Sequence, residues 1–163
     1  MSKEWIEQLA GEIRLKNHEA AERYGRDQHF AGVIAAGAPG FFLALVECLQ
    51  ENVDGIRRQL QGDATAAEMA VERGAANEVR IVRARFPWVD ARVTHREETI
   101  ALDYAKDLGV VGDAKAERTV RGFVFRVAAD DRLYVEDAFG DRPVKYETAE
   151  ELARRITEVL FSV

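Results

Sequence analysis

The residues from Phe30 to Leu60 carry the apolar pattern around which the rest of the chain must pack. Wound as a helix, the second half of this stretch places apolar side chains on one side and charged side chains on the other. The apolar stripe consists of Phe41, Phe42, Leu45, Val46, Leu49, Val53, Ile56 and Leu60. The pattern predicts an amphipathic helix that packs into the main core.

Glycine and proline predict that the N-terminal region is divided into several helices. The sequence from Gly37 to Gly40 includes Pro39, whose fixed φ suits the first turn of a helix, and Gly62 marks the end of that helix. Upstream, we predict a helix over about 3–24 and a short one over 28–36, because Gly25 shifts the apolar phase between them. The first of these carries Trp5, Ile6, Leu9, Ile13, Ala20 and Tyr24 on one face.

The stretch from Phe30 to Val46 carries no charge, and its length reaches the lower limit for a membrane-spanning helix. Several glycines and Pro39 would leave backbone groups unsatisfied in lipid, and Glu47 follows at once. We therefore predict core helices and no membrane contact.

Composition indicates a single domain in a reducing compartment. The chain has 163 residues, one cysteine and a formal net charge of -6. Its lone Cys48 cannot form an internal disulfide and is interpreted as a small hydrophobic residue, and no signal peptide pattern opens the sequence. The acidic balance argues against DNA binding, which requires many cations. We predict a cytoplasmic protein.

From Val79 onward the apolar period changes from 3.6 to 2, which indicates strands. We predict an antiparallel meander of five or six strands over about 79–146. Strict alternation fails between Ile81 and Val82, so we predict a bulge there that turns the nearby arginines to the outer side. After the sheet, the sequence from Thr148 to Glu151 fits a capping box and predicts a final helix over about 149–161.

Together these elements predict an α+β fold in which the helices cover one side of the sheet as a two-layer sandwich. The single domain spans 1–163, with a helical part over about 3–73 in which 65–73 forms either a weak helix or an ordered loop. The order of elements resembles that of helix-grip ligand-binding domains and of small acidic secretion chaperones. No motif accompanies this resemblance, so no family is assigned.

Arginines near the start of the sheet are the main functional candidates. They are Arg80, Arg83, Arg85, Arg92 and Arg96. Grouped on one face, they would suit a protein partner or an acidic ligand, and the first hypothesis is a non-catalytic binding or adaptor protein that uses this face or a helix surface. The alternative for these arginines is cross-strand pairing with Glu97, Glu98 and Asp103 on the same face of the sheet.

A second hypothesis is a small-molecule-binding protein or enzyme with a cavity between the sheet and the helices, near His95 and Tyr104. No catalytic residue, metal or cofactor is assigned. His18, Glu22 and His29 would share one side only if the first helix ran unbroken, and we interpret them as solvated. Exposed apolar side chains at Leu43 and Phe161 predict weak self-association.

Overall fold

A computed structural model describes residues 3–62, 69–84, 88–106, 118–137 and 140–162. Along the chain, one helix precedes the described strands and a second helix follows them. The elements are α1 (Glu4–Gln59), β1 (Met69–Arg73), β2 (Glu78–Arg83), β3 (Val89–Arg96), β4 (Thr99–Lys106), β5 (Thr119–Val127), β6 (Leu133–Asp137), β7 (Val144–Tyr146) and α2 (Ala149–Phe161). The predicted α+β class is confirmed.

The three predicted N-terminal helices are one helix of 56 residues, so the predicted breaks near Gly25 and Pro39 are wrong. Proline in a helix interior removes one hydrogen bond and costs about 3 kcal/mol relative to alanine. Pro39 and Ala35, whose carbonyl loses its donor, both lie on the exposed side of α1, where water can hydrate that carbonyl. On the other side Ala38 and Phe42 are buried, and their packing holds the helix together through the proline.

Gly37 of α1 marks a close approach between the helix and the sheet. A Cβ at this position would lie 3.1 Å from Cδ2 of Leu133 in β6. By contrast, a Cβ at Gly25, Gly32 or Gly40 would meet no atom within 4 Å. Only one of these four glycines is therefore explained by packing.

The sheet has seven strands in sequential order, and every neighbouring pair is antiparallel. The predicted meander is correct, but the predicted count of five or six is wrong because residues 69–73, expected to be helix or loop, form β1. The rest of that expectation, 65–68, lies outside the described residues.

The predicted bulge in β2 is absent, because Glu78 to Arg83 pair one for one with Thr94 to Val89 of β3. Residues directly opposite each other in a sheet point to the same side. Arg83 is opposite Met69 and Val89, which are both buried, so it points toward the helices. This parity places Arg80 on the opposite side of the sheet.

One side of the sheet forms the core with the C-terminal half of α1 and with α2. Leu45, Leu49, Phe123, Leu152 and Ile156 are all at most 1% exposed. No described element covers the other side, which we call the open side, and its Val120 is 61% exposed. The predicted two layers are thus present, with α1 and α2 together forming the helical layer.

The final helix matches its prediction at both ends, Ala149 and Phe161. The Thr148 hydroxyl accepts a hydrogen bond from the Glu151 N–H at 3.2 Å. In return, the Glu151 carboxylate accepts one from the Glu147 N–H at 2.9 Å. These contacts satisfy donors that the first turn of a helix leaves free, as the capping box predicts.

Candidate functional site

The first half of α1 extends away from the sheet. All residues from Lys3 to Gly32 are exposed except Ala10, which is half-buried, and the first buried residue of α1 is Ile34. We call residues 3–33 the arm. At a rise of 1.5 Å per residue, an arm of this kind is about 45 Å long.

The arm carries a stripe of large apolar side chains that face solvent. They are Trp5 (66% exposed), Ile6 (43%), Leu9 (48%), Ile13 (51%) and Tyr24 (65%). Single exposed apolar residues are ordinary on protein surfaces, whereas a run of them on one side of one helix is a candidate interaction site. We call this set the arm stripe.

The arm stripe continues the side of α1 that is buried in the core. Ile6, Leu9 and Ile13 each precede by 36 residues a buried residue of the core. A separation of 36 residues is about ten turns at 3.6 residues per turn, so each pair lies on the same side of the helix. The core partners are Phe42, Leu45 and Leu49. α1 therefore has one apolar side, of which the sheet covers only the C-terminal part.

One described ion pair joins the arm to the sheet, between His29 Nε2 and Asp131 Oδ1 at 2.9 Å. Asp131 lies in the turn between β5 and β6, and both side chains are 55% exposed. His18 and Glu22 pair with each other at 3.2 Å. Within the described ranges, no group of histidine, cysteine or acidic side chains could hold a metal ion.

Charge on the arm is balanced. Residues 3–33 contain five basic residues and six acidic ones. Two of the charged residues, Lys16 and Asp27, lie on the same side as the arm stripe. The arm therefore lacks the basic polar face that is typical of helices bound to anionic lipid surfaces.

The predicted arginine surface is not assembled as predicted. Arg80 and Arg92 are cross-strand neighbours on the open side. Nε of Arg80 donates to Oδ1 of Asp90 at 3.0 Å, and its Nη1 lies 3.7 Å from Glu72. Arg92 lies 3.7 Å from Glu78. Both arginines are thus paired within the sheet, but their described partners are Glu72, Asp90 and Glu78 and not Glu97, Glu98 or Asp103, which the alternative interpretation named.

The other predicted arginines do not add to that pair. Arg83 points toward the helices, Arg96 is exposed at the end of β3, and Arg85 lies outside the described residues. Sequence reasoning missed Arg118, which contacts Asp103 at 2.9 Å and Asp90 at 3.6 Å. The open side near β2–β4 is thus a ladder of alternating charges.

Asp90 is the centre of that ladder. Partial burial by itself would raise the pKa of its carboxyl group. The hydrogen bond and positive charge of Arg80, reinforced by Arg118, outweigh burial and hold the pKa of Asp90 below its usual value. The ladder therefore stabilises the charged form of Asp90 in the folded protein.

His95 and Tyr104, the candidate pocket residues, point to the helix side but lie apart. His95 is opposite Ile100 in β4, whereas Tyr104 is opposite Ala91 near the other end of β3. The His95 ring lies 5.6 Å from the ring of Phe42, and its Nε2 is 3.0 Å from the Glu97 carbonyl oxygen. A shallow groove of about 680 Å³ adjoins His95, and Tyr104 does not line it.

Two further grooves flank α2, and sequence reasoning predicted neither. One, of about 720 Å³, lies between the ends of α1 and α2, and its apolar residues include Ile56, Leu60 and Phe161. The other, of about 650 Å³, contains the pair of Arg121 and Asp137, separated by 3.7 Å. Both are open to solvent and lack the enclosure of a typical small-molecule site.

Cys48 lies half-buried on α1. Burial raises the pKa of its thiol, and the nearby charges of Glu51, Glu150 and Glu47 raise it further. A raised pKa disfavours the reactive thiolate, so the interpretation of Cys48 as a small hydrophobic residue fits its surroundings.

One window of 18 residues in α1 is long and apolar enough to cross a membrane, with a mean hydropathy of 1.8. A third of that window is buried inside the fold, and a core helix meets the same criterion of length and composition. In comparisons with known proteins, no family model, curated protein or solved structure matches the chain.

Proposed function

We propose that this protein is a non-catalytic binding or adaptor protein that holds another protein through the arm of α1. The observation that carries the proposal is the continuation of the core side of α1 into the solvent-exposed arm stripe. A helix side built to be buried, with no described element over it, requires a partner that supplies the missing cover.

The arm supports this role better than the arginines of the sheet do. Arg80 and Arg92 already contact acidic side chains, so an acidic partner would first have to displace Asp90 and Glu78. A partner of the arm stripe would displace only water, because the side chains of the stripe face solvent. The adaptor hypothesis is therefore retained, with the helix surface as its binding site.

The size of the stripe fits a protein partner. Burying a large apolar side chain contributes about 1.5–3 kcal/mol. Association costs about 4–15 kcal/mol in lost freedom, so one such side chain is too few, whereas a row of five contributes about 7.5–15 kcal/mol, which is comparable with that cost. An amphipathic helix or an apolar groove would contact the whole row at once. The cytoplasmic location and the lack of DNA and membrane partners stay predictions.

The proposal is tested with a photo-crosslinking amino acid at Ile13 in the full chain, expressed in its native host. A captured protein should disappear when Ile6 and Leu9 are changed to aspartate. The matched control is Leu15→Asp, because Leu15 is 59% exposed on the opposite side of the same arm. Equal capture by the Leu15→Asp chain and by the chain with both Ile6→Asp and Leu9→Asp would contradict the proposal, as would no capture at Ile13.

A further inference from the structure

We infer that the partner of the arm is a second copy of this chain, whose arm packs antiparallel against the first. This inference rests on the proposed function and adds the identity of the partner. It is argued from the order of charged and apolar residues along the arm stripe, which is self-complementary in one direction only.

Parallel pairing in register would bring like charges together. Lys16 and Asp27 lie on the side of the stripe, so each would meet its own copy in the seam between two parallel helices. Like charges in a helix seam are disfavoured, and this device sets orientation in natural helix pairs. An antiparallel arrangement separates both pairs.

In one antiparallel register, residues whose numbers add up to about 29 lie opposite each other, and the arm stripes of both copies meet in the seam. Leu9 then faces Ala20 of the second copy, and Ile13 faces Lys16. Ile6 lies beside Tyr24 of the second copy. The two-fold axis repeats each contact, so all five residues of the arm stripe enter the seam from both copies.

The flanks of the seam are complementary in the same register. Glu12 comes next to Lys16 of the second copy, and the Trp5 ring comes next to Arg23 of the second copy. Trp5 and Arg23 lie five turns apart on one flank of the arm, and two-fold symmetry in an antiparallel pair brings matching flanks together. The two contacts are an ion pair and a cation–π pair, each formed twice.

The register also keeps the two sheet domains apart. It places Glu4 opposite Gly25 of the second copy, before Ile34, where burial against the sheet begins. The overlapping segment from Glu4 to Gly25 has 22 residues and is about 33 Å long, and the strands of each copy lie beyond one end of it. The described residues therefore form the seam without a clash between domains.

The stoichiometry is tested by sedimentation velocity over a concentration series of the full chain. A dimer is expected at micromolar concentrations. Ile13→Asp should weaken dimerisation by at least about tenfold, whereas Leu15→Asp should leave it unchanged. Circular dichroism and the midpoint of urea unfolding confirm that both variants keep the fold, because the two positions lie outside the core.

The orientation is tested with single cysteines in a Cys48→Ser chain. A mixture of Leu9→Cys and Ala20→Cys chains should form a mixed disulfide dimer under mild oxidation, and neither chain should form one alone. Disulfide formation within the Leu9→Cys sample would instead show parallel pairing and overturn the inference. Glu12→Lys should weaken the dimer, and adding Lys16→Glu should restore it.

The outcomes separate the inference from the proposed function. If the chain is a monomer at high micromolar concentration and crosslinking at Ile13 captures a different protein, the arm is a binding site and the inference of a second copy fails. If the chain is a monomer and the crosslinker captures nothing, both fail. If sedimentation shows a dimer that Ile13→Asp leaves intact, the second copy binds elsewhere and the inference fails.

Discussion

Lys106 at the end of β4 donates a hydrogen bond from its ammonium group to the backbone carbonyl of Val159 in α2, at 2.7 Å. The same ammonium lies 3.1 Å from the carbonyl of Ser162, just past the end of α2. The last turn of α2 contains no basic residue of its own. The sheet thus supplies the positive charge that the C-terminal carbonyls of a helix favour.

This contact predicts that Lys106→Met destabilises the protein through α2. Hydrogen bonds to charged groups contribute about 1.5–3 kcal/mol, and we expect a loss in that range from urea titration. The control is Lys145→Met, whose ammonium lies 5.1 Å from the centre of the Tyr134 ring and should contribute about 0.5–1 kcal/mol. Equal losses from the two variants would show that the carbonyl contacts of Lys106 contribute no more to stability than the contact of Lys145 with the Tyr134 ring.

Substitutions on the buried side of α1 should lower the free energy of unfolding much more than those on its exposed side. Leu49 is fully buried and Leu43 is 55% exposed on the opposite side. Leu49→Ala should cost about 2–5 kcal/mol, because it removes buried surface and leaves a cavity. Leu43→Ala should change the free energy of unfolding by less than about 0.5 kcal/mol. A small loss at Leu49 would mean that α1 does not anchor the core.

The N-terminal cap of α2 predicts a difference between two substitutions at Thr148. Thr148→Ala removes the oxygen that accepts from the Glu151 N–H and should cost about 1 kcal/mol. Thr148→Ser keeps that oxygen and should cost little. Thermal unfolding of both variants provides the measurement, and equal losses would assign the effect to the methyl group.

The lowered pKa of Asp90 predicts a stabilising effect that is lost in acid. Because the pKa is lower in the folded state, the unfolded chain binds the proton first as the pH falls. The contribution is complete at neutral pH and declines as the pH falls below about 4, the usual pKa of an aspartate. Asp90→Asn should remove this part of the pH dependence, which urea titrations at several pH values would reveal.

Arg80→Gln provides the matched test of the cause. It removes the group that donates to Asp90 and should flatten the same part of the stability curve. The comparison covers about two pH units around the aspartate pKa, from about pH 5 to about pH 3. If neither variant changes how the free energy of unfolding depends on pH in that range, the ladder on the open side does not stabilise the fold.

The sequence predicted best where local signals and packing agree. The bounds of α2 follow from the box at Thr148 and a regular apolar period, and the helix-facing residues of β3 follow from strict alternation. The predicted helix break at Pro39 was wrong. Proline and glycine are local signals, whereas the helix continues because Ala38 and Phe42, on either side of the proline, are buried. Burial of that kind depends on the whole fold.

The candidate site was predicted only in part. The apolar side of the arm, from Trp5 to Tyr24, was readable from its period, but its exposure was not, because that depends on where the sheet ends. The arginines failed for a different reason. A bulge at Ile81 would have moved Arg83 to the open side, and without it the residue stays on the helix side. A change of one residue in strand register reverses every side chain that follows.

Because α1 is one continuous helix, the arm is a rigid extension of the core and not a flexible linker. A flexible linker would let a bound partner tumble, whereas a helix that passes directly from Ile13 to Leu49 transmits both distance and rotation. A partner bound to the arm is therefore held at a fixed distance and orientation relative to the groove beside α2.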